Sequence, residues 1–241
     1  MTTVPAHHAD KSESHATDLN RIFGELPAVD LLSAMIREEF PGRIALASSF
    51  GAESTILLHM VARIDPSTPV LFLDTGKLFG ETRRYRRELA VRFRLTDVRD
   101  ITPDTDDIDA RDRDGVLWRD QPDSCCYLRK VLPLRRTLGN FDAWINGRKR
   151  VQGGQRIDMN RIEEFEGRIK INPLADWGLS ETAAYFDRFD LPRHPLIADG
   201  YTSIGCMPCT APPGDSDDYR DGRWAGQSKT ECGIHIAHTQ G

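Results

Sequence analysis

Short apolar runs alternate with helical segments in the first hundred residues, and this alternation limits the fold most strongly. The sequences RIALASSF (43–50) and PVLFLDTG (69–76) are apolar and end in small or polar residues, which predicts two buried strands. The segments that follow them, residues 51–64 and 79–93, are predicted helices. Strands that alternate with helices favour an α/β fold with a mainly parallel, twisted sheet and helices on both faces.

The rest of the chain extends this pattern into one α/β domain with a leader and a tail. We expect a disordered leader over 1–18, the α/β domain over 19–195, and a C-terminal segment over 196–241 that is rich in Gly, Pro and Asp and includes a flexible tail. The remaining predicted elements are helices at 19–40 and at 179–190, the latter with Ser180 as N-cap, and strands at 95–100, 141–147 and 168–174.

The composition is that of a globular protein and argues against two classes of function. Hydrophobic residues make up 39% and charged residues 29% of the 241 residues, and the formal net charge is −5. A negative net charge disfavours nucleic-acid binding, because such affinity comes from excess Lys and Arg. No apolar run reaches the length that spans a bilayer, and the N-terminus lacks the apolar centre of a signal peptide. We therefore expect a cytoplasmic protein that binds neither membranes nor nucleic acid.

A loop of small residues, SSFGAES (48–54), lies where the first predicted strand turns into a helix. Small residues let the backbone approach an anion, and a helix N-terminus offers unpaired N–H groups. Ligands also bind at the carboxyl ends of parallel strands. The candidate contacts are Ser48, Ser49, Gly51, Ser54, Leu73, Asp74 and Thr75. The loop lacks the Lys of a Walker A sequence, and an ordinary strand-to-helix turn capped by Ser is the alternative.

Five cysteines fall into two pairs and a remainder, namely Cys125–Cys126, Cys206–Cys209 and Cys232. An odd number of cysteines argues against a disulfide framework. The two pairs supply four thiolates, enough for a tetrahedral zinc site or for one [4Fe–4S] cluster. Adjacent cysteines favour a cluster, because zinc sites usually take two cysteines separated by two residues. The irregular sequence around CMPC argues against a thioredoxin-type redox pair, but zinc stays open on the residues alone.

Cations follow the first cysteine pair and recur in the middle of the chain. Arg129 and Lys130 can offset the negative charge of a thiolate-bound metal, although a plain surface lysine is the alternative for Lys130. The run at 148–150, Arg-Lys-Arg, favours anion binding. The arginines at 83–87 are interpreted as a solvated helix face.

The remaining cysteine, Cys232, stands in the sequence KTECGIH. The small Gly233 beside it leaves the sulfur accessible, and Lys229 and His235 are placed to stabilise a thiolate, the form that attacks electrophiles. For an isolated residue, a free surface cysteine in a frayed tail would be the alternative.

Eight motifs occur together from about residue 40 to the end of the chain: SSFGAES, LDTGKLF, CCYLRK, GRKRVQ, INPLADW, CMPC, GRWAG and KTECGIH. This array closely resembles the assimilatory adenylyl-sulfate (phosphoadenylyl-sulfate) reductase family of the adenine nucleotide α-hydrolase-like, or PP-loop, superfamily. The resemblance implies a nucleotide-binding α/β domain with the phosphates on the first loop. Family members with both cysteine pairs carry one [4Fe–4S] cluster and mostly use adenosine 5′-phosphosulfate, whereas members without them use the 3′-phosphorylated nucleotide.

The resemblance also implies a mechanism in which Cys232 is the nucleophile. Its thiolate attacks the sulfur of adenosine 5′-phosphosulfate and expels AMP, leaving an S-sulfocysteine, and thioredoxin then releases sulfite. The tail would move between a state folded over the nucleotide and one exposed to thioredoxin. No nicotinamide or flavin is implied, and we expect a homo-oligomer. The further implied substrate contacts are Lys130, Lys149, Arg150, Gln152, Arg220, Arg223 and His235.

Two departures from the family patterns bear on the alternatives. Many superfamily members have Ser-Gly-Gly-x-Asp-Ser in the first loop, whereas this chain has SFGAES (49–54), which argues against ATP pyrophosphatase chemistry. The family commonly reads Gly-Leu-Arg-Arg-Asp-Gln where this chain has GRKRVQ (147–152), with Lys149 replacing an arginine. The alternatives are a PP-loop ATP pyrophosphatase, such as a tRNA thiolase or an amide-forming ligase, and a zinc-stabilised nucleotide-binding module or redox sensor.

Overall fold

The computed structural model contains a six-stranded sheet that is parallel except at one edge. The structure describes residues 7–214, 220–227 and 229–236, and of residues 7–14 only the backbone. The strands are β1 (Ile44–Ser48), β2 (Val70–Leu73), β3 (Val98–Ile101), β4 (Ala143–Ile145), β5 (Ile162–Phe165) and β6 (Arg168–Ile171). Their order is β3-β2-β1-β4-β6-β5, and neighbouring strands are parallel apart from β5 and β6.

Helices cover both faces of the sheet, which confirms the predicted α/β class. The α-helices in the described residues are α1 (His7–Phe23), α2 (Ala28–Ala34), α3 (Ser54–Ile64), α4 (Gly80–Arg92), α5 (Thr105–Arg111), α6 (Leu117–Asp120), α7 (Pro122–Cys126), α8 (Leu132–Leu138) and α9 (Leu179–Arg188). Leu46 and Phe72 pack in a large core with α1–α4 and α9, whereas Ala45 and Trp144 pack against α8 on the opposite face. None of the helices in this part of the chain is long and apolar enough to cross a bilayer.

The N-terminal region differs from its prediction. Helix α1 begins at His7, so residues 7–18 are helical where the sequence predicts a disordered leader, and residues 1–6 lie outside the described ranges. The helix predicted at 19–40 is divided at Pro27, because a proline ring does not continue a helix from the preceding turn. The boundary at residue 195 and the flexibility of the tail stay predictions.

Two details near β6 also differ from the sequence-based expectations. Ser180 is not the N-cap of α9, since that position belongs to Gly178, whose N–H donates to the Glu181 carboxylate at 3.0 Å. Strand β5 is missing from the predictions because its sequence, IEEF, is acidic at the centre and lacks a clear apolar alternation. It pairs with β6 through a short turn and completes the sheet.

The strand order opens a crevice between β1 and β4. β2 and β3 lie on one side of β1 and β4 lies on the other, so the loops that follow β1 and β4 separate at this point. Leu46 pairs with both Val70 and Ile145, which aligns the carboxyl ends of the three strands. In α/β sheets ligands bind in the crevice at such a position. The loops at 48–54 and 146–156 therefore form its two walls.

Candidate active site

The crevice brings together most of the predicted site residues. Its lining comes from the loop after β1, the loop after β4 and the C-terminal segment. The predicted residues that line it are Ser48, Ser49, Gly51, Ser54, Leu73, Lys130, Lys149, Gln152, Arg220, Arg223, Cys232 and His235. Arg148 and Arg156 line it as well, so cations from three separate segments face one space. Such a concentration of positive charge favours an anionic ligand.

The loop after β1 has a tight conformation that leaves little room for larger side chains. Phe50 is buried with a positive φ of 50°, and its N–H donates to Ser48 Oγ at 3.1 Å. A Cβ atom on Gly51 would lie 2.8 Å from the carbonyl oxygen of Ile204, so this position requires glycine. The loop therefore presents backbone and small side chains to the crevice.

Lys149 joins the two walls of the crevice. Its Nζ lies 2.8 Å from Glu53 Oε2 on the loop after β1 and donates to Thr182 Oγ1 at 2.7 Å on α9. The lysine is 2% exposed, and this ion pair is therefore shielded from water. It fixes the loop after β4 against the start of α3.

Two arginines of the loop after β4 point to different places. Arg148 is 6% exposed, lines the crevice and pairs with Glu163, and burial lowers the pKa of its guanidinium. Arg150 pairs with Asp176 and donates to the carbonyl of Met159 at 3.0 Å, outside the crevice. Of the run predicted to bind an anion, the structure therefore places Arg148 and Lys149 at the crevice but not Arg150.

Asp74 and Thr75 also lie outside the crevice lining. Asp74 accepts a hydrogen bond from Arg83 at 3.0 Å. Thr75 is fully buried, and its Oγ1 lies 3.2 Å from the sulfur of Cys206. Thr75 thus belongs to the surroundings of the cysteine pairs, and Asp74 to the start of α4.

The two cysteine pairs face one cavity. Cys125 and Cys126 end α7, while Cys206 and Cys209 lie at a 3₁₀ turn. All four thiols are free and line this cavity, together with Trp224. Within residues 7–214, 220–227 and 229–236, no group of three or more His, Cys, Asp or Glu is arranged to hold a metal ion. The four predicted ligands therefore lie around the same cavity.

A π-helical turn after the first cysteine pair carries two buried cations. Over Tyr127–Val131 the helix is π-helical, and the Leu132 N–H bonds to the Tyr127 carbonyl. Arg129 and Lys130 are each 8% exposed, and Leu128 and Val131 beside them are buried too, so protein surrounds this turn. Lys130 lines both the crevice and the cysteine cavity. Burial would lower the pKa of Lys130, but nearby cysteine thiolates raise it above its usual value.

Glu231 ties the C-terminal segment to the loop after β4. Arg156 donates to its carboxylate twice, from Nε to Oε2 at 2.5 Å and from Nη2 to Oε1 at 2.7 Å. Oε1 also accepts the Cys232 N–H at 2.6 Å and lies 3.5 Å from Arg220 Nη2. Burial alone would raise the pKa of Glu231, but Arg156, Arg220 and the Cys232 amide lower it to about 2. The carboxylate is therefore ionised beside the predicted nucleophile.

The other residues around Cys232 have partners elsewhere. Lys229 pairs with Asp123 of α7, and the His235 ring stacks on Trp144 at 6.0 Å between centroids and an interplanar angle of 4°. Burial lowers the pKa of His235 well below its usual value, and nearby cations lower it further. These two side chains thus anchor the segment on both sides of Cys232, a role that the sequence does not reveal.

Sequence reasoning missed Arg156 and Glu231 as parts of the site. Glu231 directly precedes the predicted nucleophile, and this position is the signal that could have identified it. Arg156 lies in GGQRID, which resembles no motif, and its role depends on a contact across 75 residues of sequence.

The strand order, the Ser/Gly-rich loop after β1 and the cation-lined crevice are typical of α/β proteins that bind a phosphorylated ligand. A family model for the phosphoadenosine phosphosulfate reductase domain matches residues 43–212. The chain belongs to this family. The predicted family relationship is therefore confirmed.

Named relatives and one solved structure agree with this assignment. The chain is 45% identical to an adenosine 5′-phosphosulfate reductase of Mesorhizobium japonicum over 228 residues, covering 95% of this chain and 90% of the relative. It is 47% identical to a protein of the same name from Chelativorans sp., covering 93% and 92%. The crystal structure of phosphoadenylyl-sulfate reductase from Candida auris superposes with a TM-score of 0.67 at 25% identity, covering 87% of this chain and 99% of that one.

Proposed function

We propose that this protein is an adenosine 5′-phosphosulfate reductase of sulfate assimilation, which forms sulfite and AMP. The observation that carries the proposal is that Cys232 lines the same crevice as the Ser/Gly-rich loop and the cations of three segments. A thiol at this position can reach an anionic nucleotide whose phosphate lies on the loop. Relatives with this name at 45% and 47% identity support the choice of substrate.

The reaction begins with sulfur transfer to the enzyme. The Cys232 thiolate attacks the sulfur of the phosphosulfate, an S–S bond forms, and the bond between that sulfur and the bridging oxygen breaks. The electron pair stays on the phosphate oxygen of AMP, where the surrounding arginines and lysines stabilise the charge. The product on the enzyme is an S-sulfocysteine.

Release of sulfite requires an external dithiol, which we propose is thioredoxin. One thiolate attacks Cys232 Sγ, sulfite leaves with the electron pair of the S–S bond, and a mixed disulfide forms. The second thiol then attacks the thioredoxin sulfur of that disulfide, so Cys232 returns as a thiol and the dithiol is oxidised by two electrons.

We further propose one [4Fe–4S] cluster in the cavity lined by the two cysteine pairs. Four free thiols are the donor set that such a cluster requires, and buried Arg129 and Lys130 offset the negative charge of thiolate ligation. Burial raises the pKa of Cys125 to about 11, so metal binding must displace its proton. When bound, the cluster would hold the two pairs together and add charge beside the crevice. Zinc is the competing occupant, and metal analysis of anaerobically purified protein distinguishes them.

We propose a cytoplasmic location, because free thiols suit a reducing compartment. The free cysteines are Cys125, Cys126, Cys206, Cys209 and Cys232. We propose neither a membrane nor a nucleic acid as partner. A homo-oligomer stays a prediction.

The proposal is tested by labelling the enzyme with ³⁵S-adenosine 5′-phosphosulfate anaerobically and without thioredoxin. We expect the label to stay covalently bound to the protein and to leave as sulfite when thioredoxin is added. Cys232→Ser should lose the label, whereas Thr230→Ala, a change of an exposed neighbour, should keep it. Label retained by Cys232→Ser would refute the mechanism, and AMP formation from ATP and magnesium would favour the pyrophosphatase alternative.

A further inference from the structure

The side chain of Glu231 reaches back from the nucleophile to the loop after β4. Glu231 is 4% exposed, and Arg156, its bidentate partner, is 8% exposed. Arg156 Nη1 also donates to Gln152 Oε1, and the same oxygen accepts the Lys149 N–H at 3.1 Å. A continuous set of hydrogen bonds therefore connects the ligand-facing loop with the backbone of Cys232.

We propose that Glu231 is a positioning residue for the nucleophile and that it also limits how strongly Arg156 and Arg220 attract an anion. The proposal rests on the proposed function, because it takes Cys232 as the sulfur acceptor. Oε1 fixes the backbone of Cys232 through the hydrogen bond of 2.6 Å. The same carboxylate offsets the charge of two arginines that line the crevice.

If Glu231 has both roles, removing its charge should strengthen nucleotide binding but slow sulfur transfer. With Glu231→Gln, Arg156 and Arg220 direct more net positive charge towards the crevice, which strengthens binding of an anionic nucleotide. The segment that carries Cys232 loses its bidentate ion pair, and small displacements of a reacting atom slow a reaction by large factors. A pair that only stabilised the fold would weaken nucleotide binding and sulfur transfer together.

The test measures two quantities on the anaerobic holoenzyme. AMP affinity is determined by titration calorimetry, and the single-turnover rate of covalent ³⁵S labelling is determined at saturating adenosine 5′-phosphosulfate. For Glu231→Gln we expect AMP to bind about threefold to tenfold more tightly and labelling to slow by about tenfold or more. Glu231→Asp keeps the charge, so AMP affinity should return to that of the wild type while labelling recovers in part.

Asp176→Asn is the matched control, since it removes a carboxylate from two arginines, Arg150 and Arg161, in the same region but outside the crevice. Both quantities should equal those of the wild type. AMP affinity and labelling that fall together in Glu231→Gln, or that both stay unchanged, would overturn the role of Glu231. That outcome differs from failure of the proposed function, in which the wild type binds no AMP or Cys232→Ser keeps the label.

Discussion

The guanidinium of Arg129 donates to one carboxylate oxygen of Asp112 from both Nε, at 2.9 Å, and Nη2, at 2.6 Å. Its Nη1 donates to the Thr75 carbonyl at 2.9 Å. Thr75 in turn lies against Cys206, so this pair connects the helix of one cysteine pair with the surroundings of the other. Arg129 therefore has a structural task in addition to its charge.

Asp112→Asn should destabilise the protein because it leaves the buried Arg129 without a charged partner. The side chains of the pair are 9% and 1% exposed, and breaking such a pair lowers the free energy of unfolding by about 3 kcal/mol. We also expect less iron per protein after anaerobic purification. Thermal unfolding and iron analysis check both effects. Asp120→Asn, at an exposed pair with Arg119, should match the wild type in both, and equal stability of the two variants would contradict this prediction.

Lys149 and Arg150 are neighbours in the sequence, but we expect only Lys149 to be important for activity. Lys149→Met removes the contact with Glu53 and a cation from the crevice, so kcat/KM for adenosine 5′-phosphosulfate should fall by about 30-fold or more. Arg150→Met removes the pair with Asp176 and the hydrogen bond to the Met159 carbonyl, both outside the crevice, and should change kcat/KM by less than about threefold. Steady-state kinetics with the two variants decide the point. Equal losses would place Arg150 at the substrate after all.

Gly51→Ala tests the conformation of the loop after β1. The added Cβ would lie 2.8 Å from the Ile204 carbonyl oxygen, and relief of such a contact shifts the backbone at a cost of about 1–3 kcal/mol. AMP binding should weaken by about tenfold or more, as measured by calorimetry. Gly80→Ala is the control, because an added Cβ there meets nothing within 4 Å. Unchanged AMP affinity in Gly51→Ala would show that the loop adapts.

His194 should make the protein less stable in mild acid. Its Nδ1 accepts the Leu196 N–H at 3.2 Å, and burial lowers its pKa to about 4, although nearby Glu81 raises it. The unfolded chain binds a proton at a pKa of about 6.5, whereas the folded protein excludes it. Stability contributed by the neutral ring is therefore lost as the pH falls from about 6.5 to about 4.

Thermal unfolding at a series of pH values measures this effect. The melting temperature of the wild type should fall more steeply through that window than that of His194→Gln, whose side chain does not titrate. Parallel curves for the two proteins would assign the acid sensitivity to other groups.

The sequence predicts the sheet and much of the site because those features are local. RIALASSF and PVLFLDTG contain buried strands whose apolar runs can be recognised over a few residues, and the cysteine pairs can be read directly from the sequence. Arg156 and Glu231 lie far apart in the sequence and meet only in the folded protein, so no local sequence pattern indicates their contact. Asp74 directly follows β2, as predicted, but its side chain accepts a hydrogen bond from Arg83. This orientation depends on packing and not on the position at the end of the strand.

Because the helix is π-helical over Tyr127–Val131, the number of residues in it determines where Lys130 lies relative to Cys125 and Cys126. Deleting one residue there would restore regular α-helical winding and change where Lys130 lies relative to the cysteines before it. Lys130 and the adjacent cysteines could then no longer serve the same space. A substitution in this turn can be absorbed by repacking, but a change of chain length cannot, so the spacing between the thiols and the lysine is under tighter constraint than the identity of the residues between them.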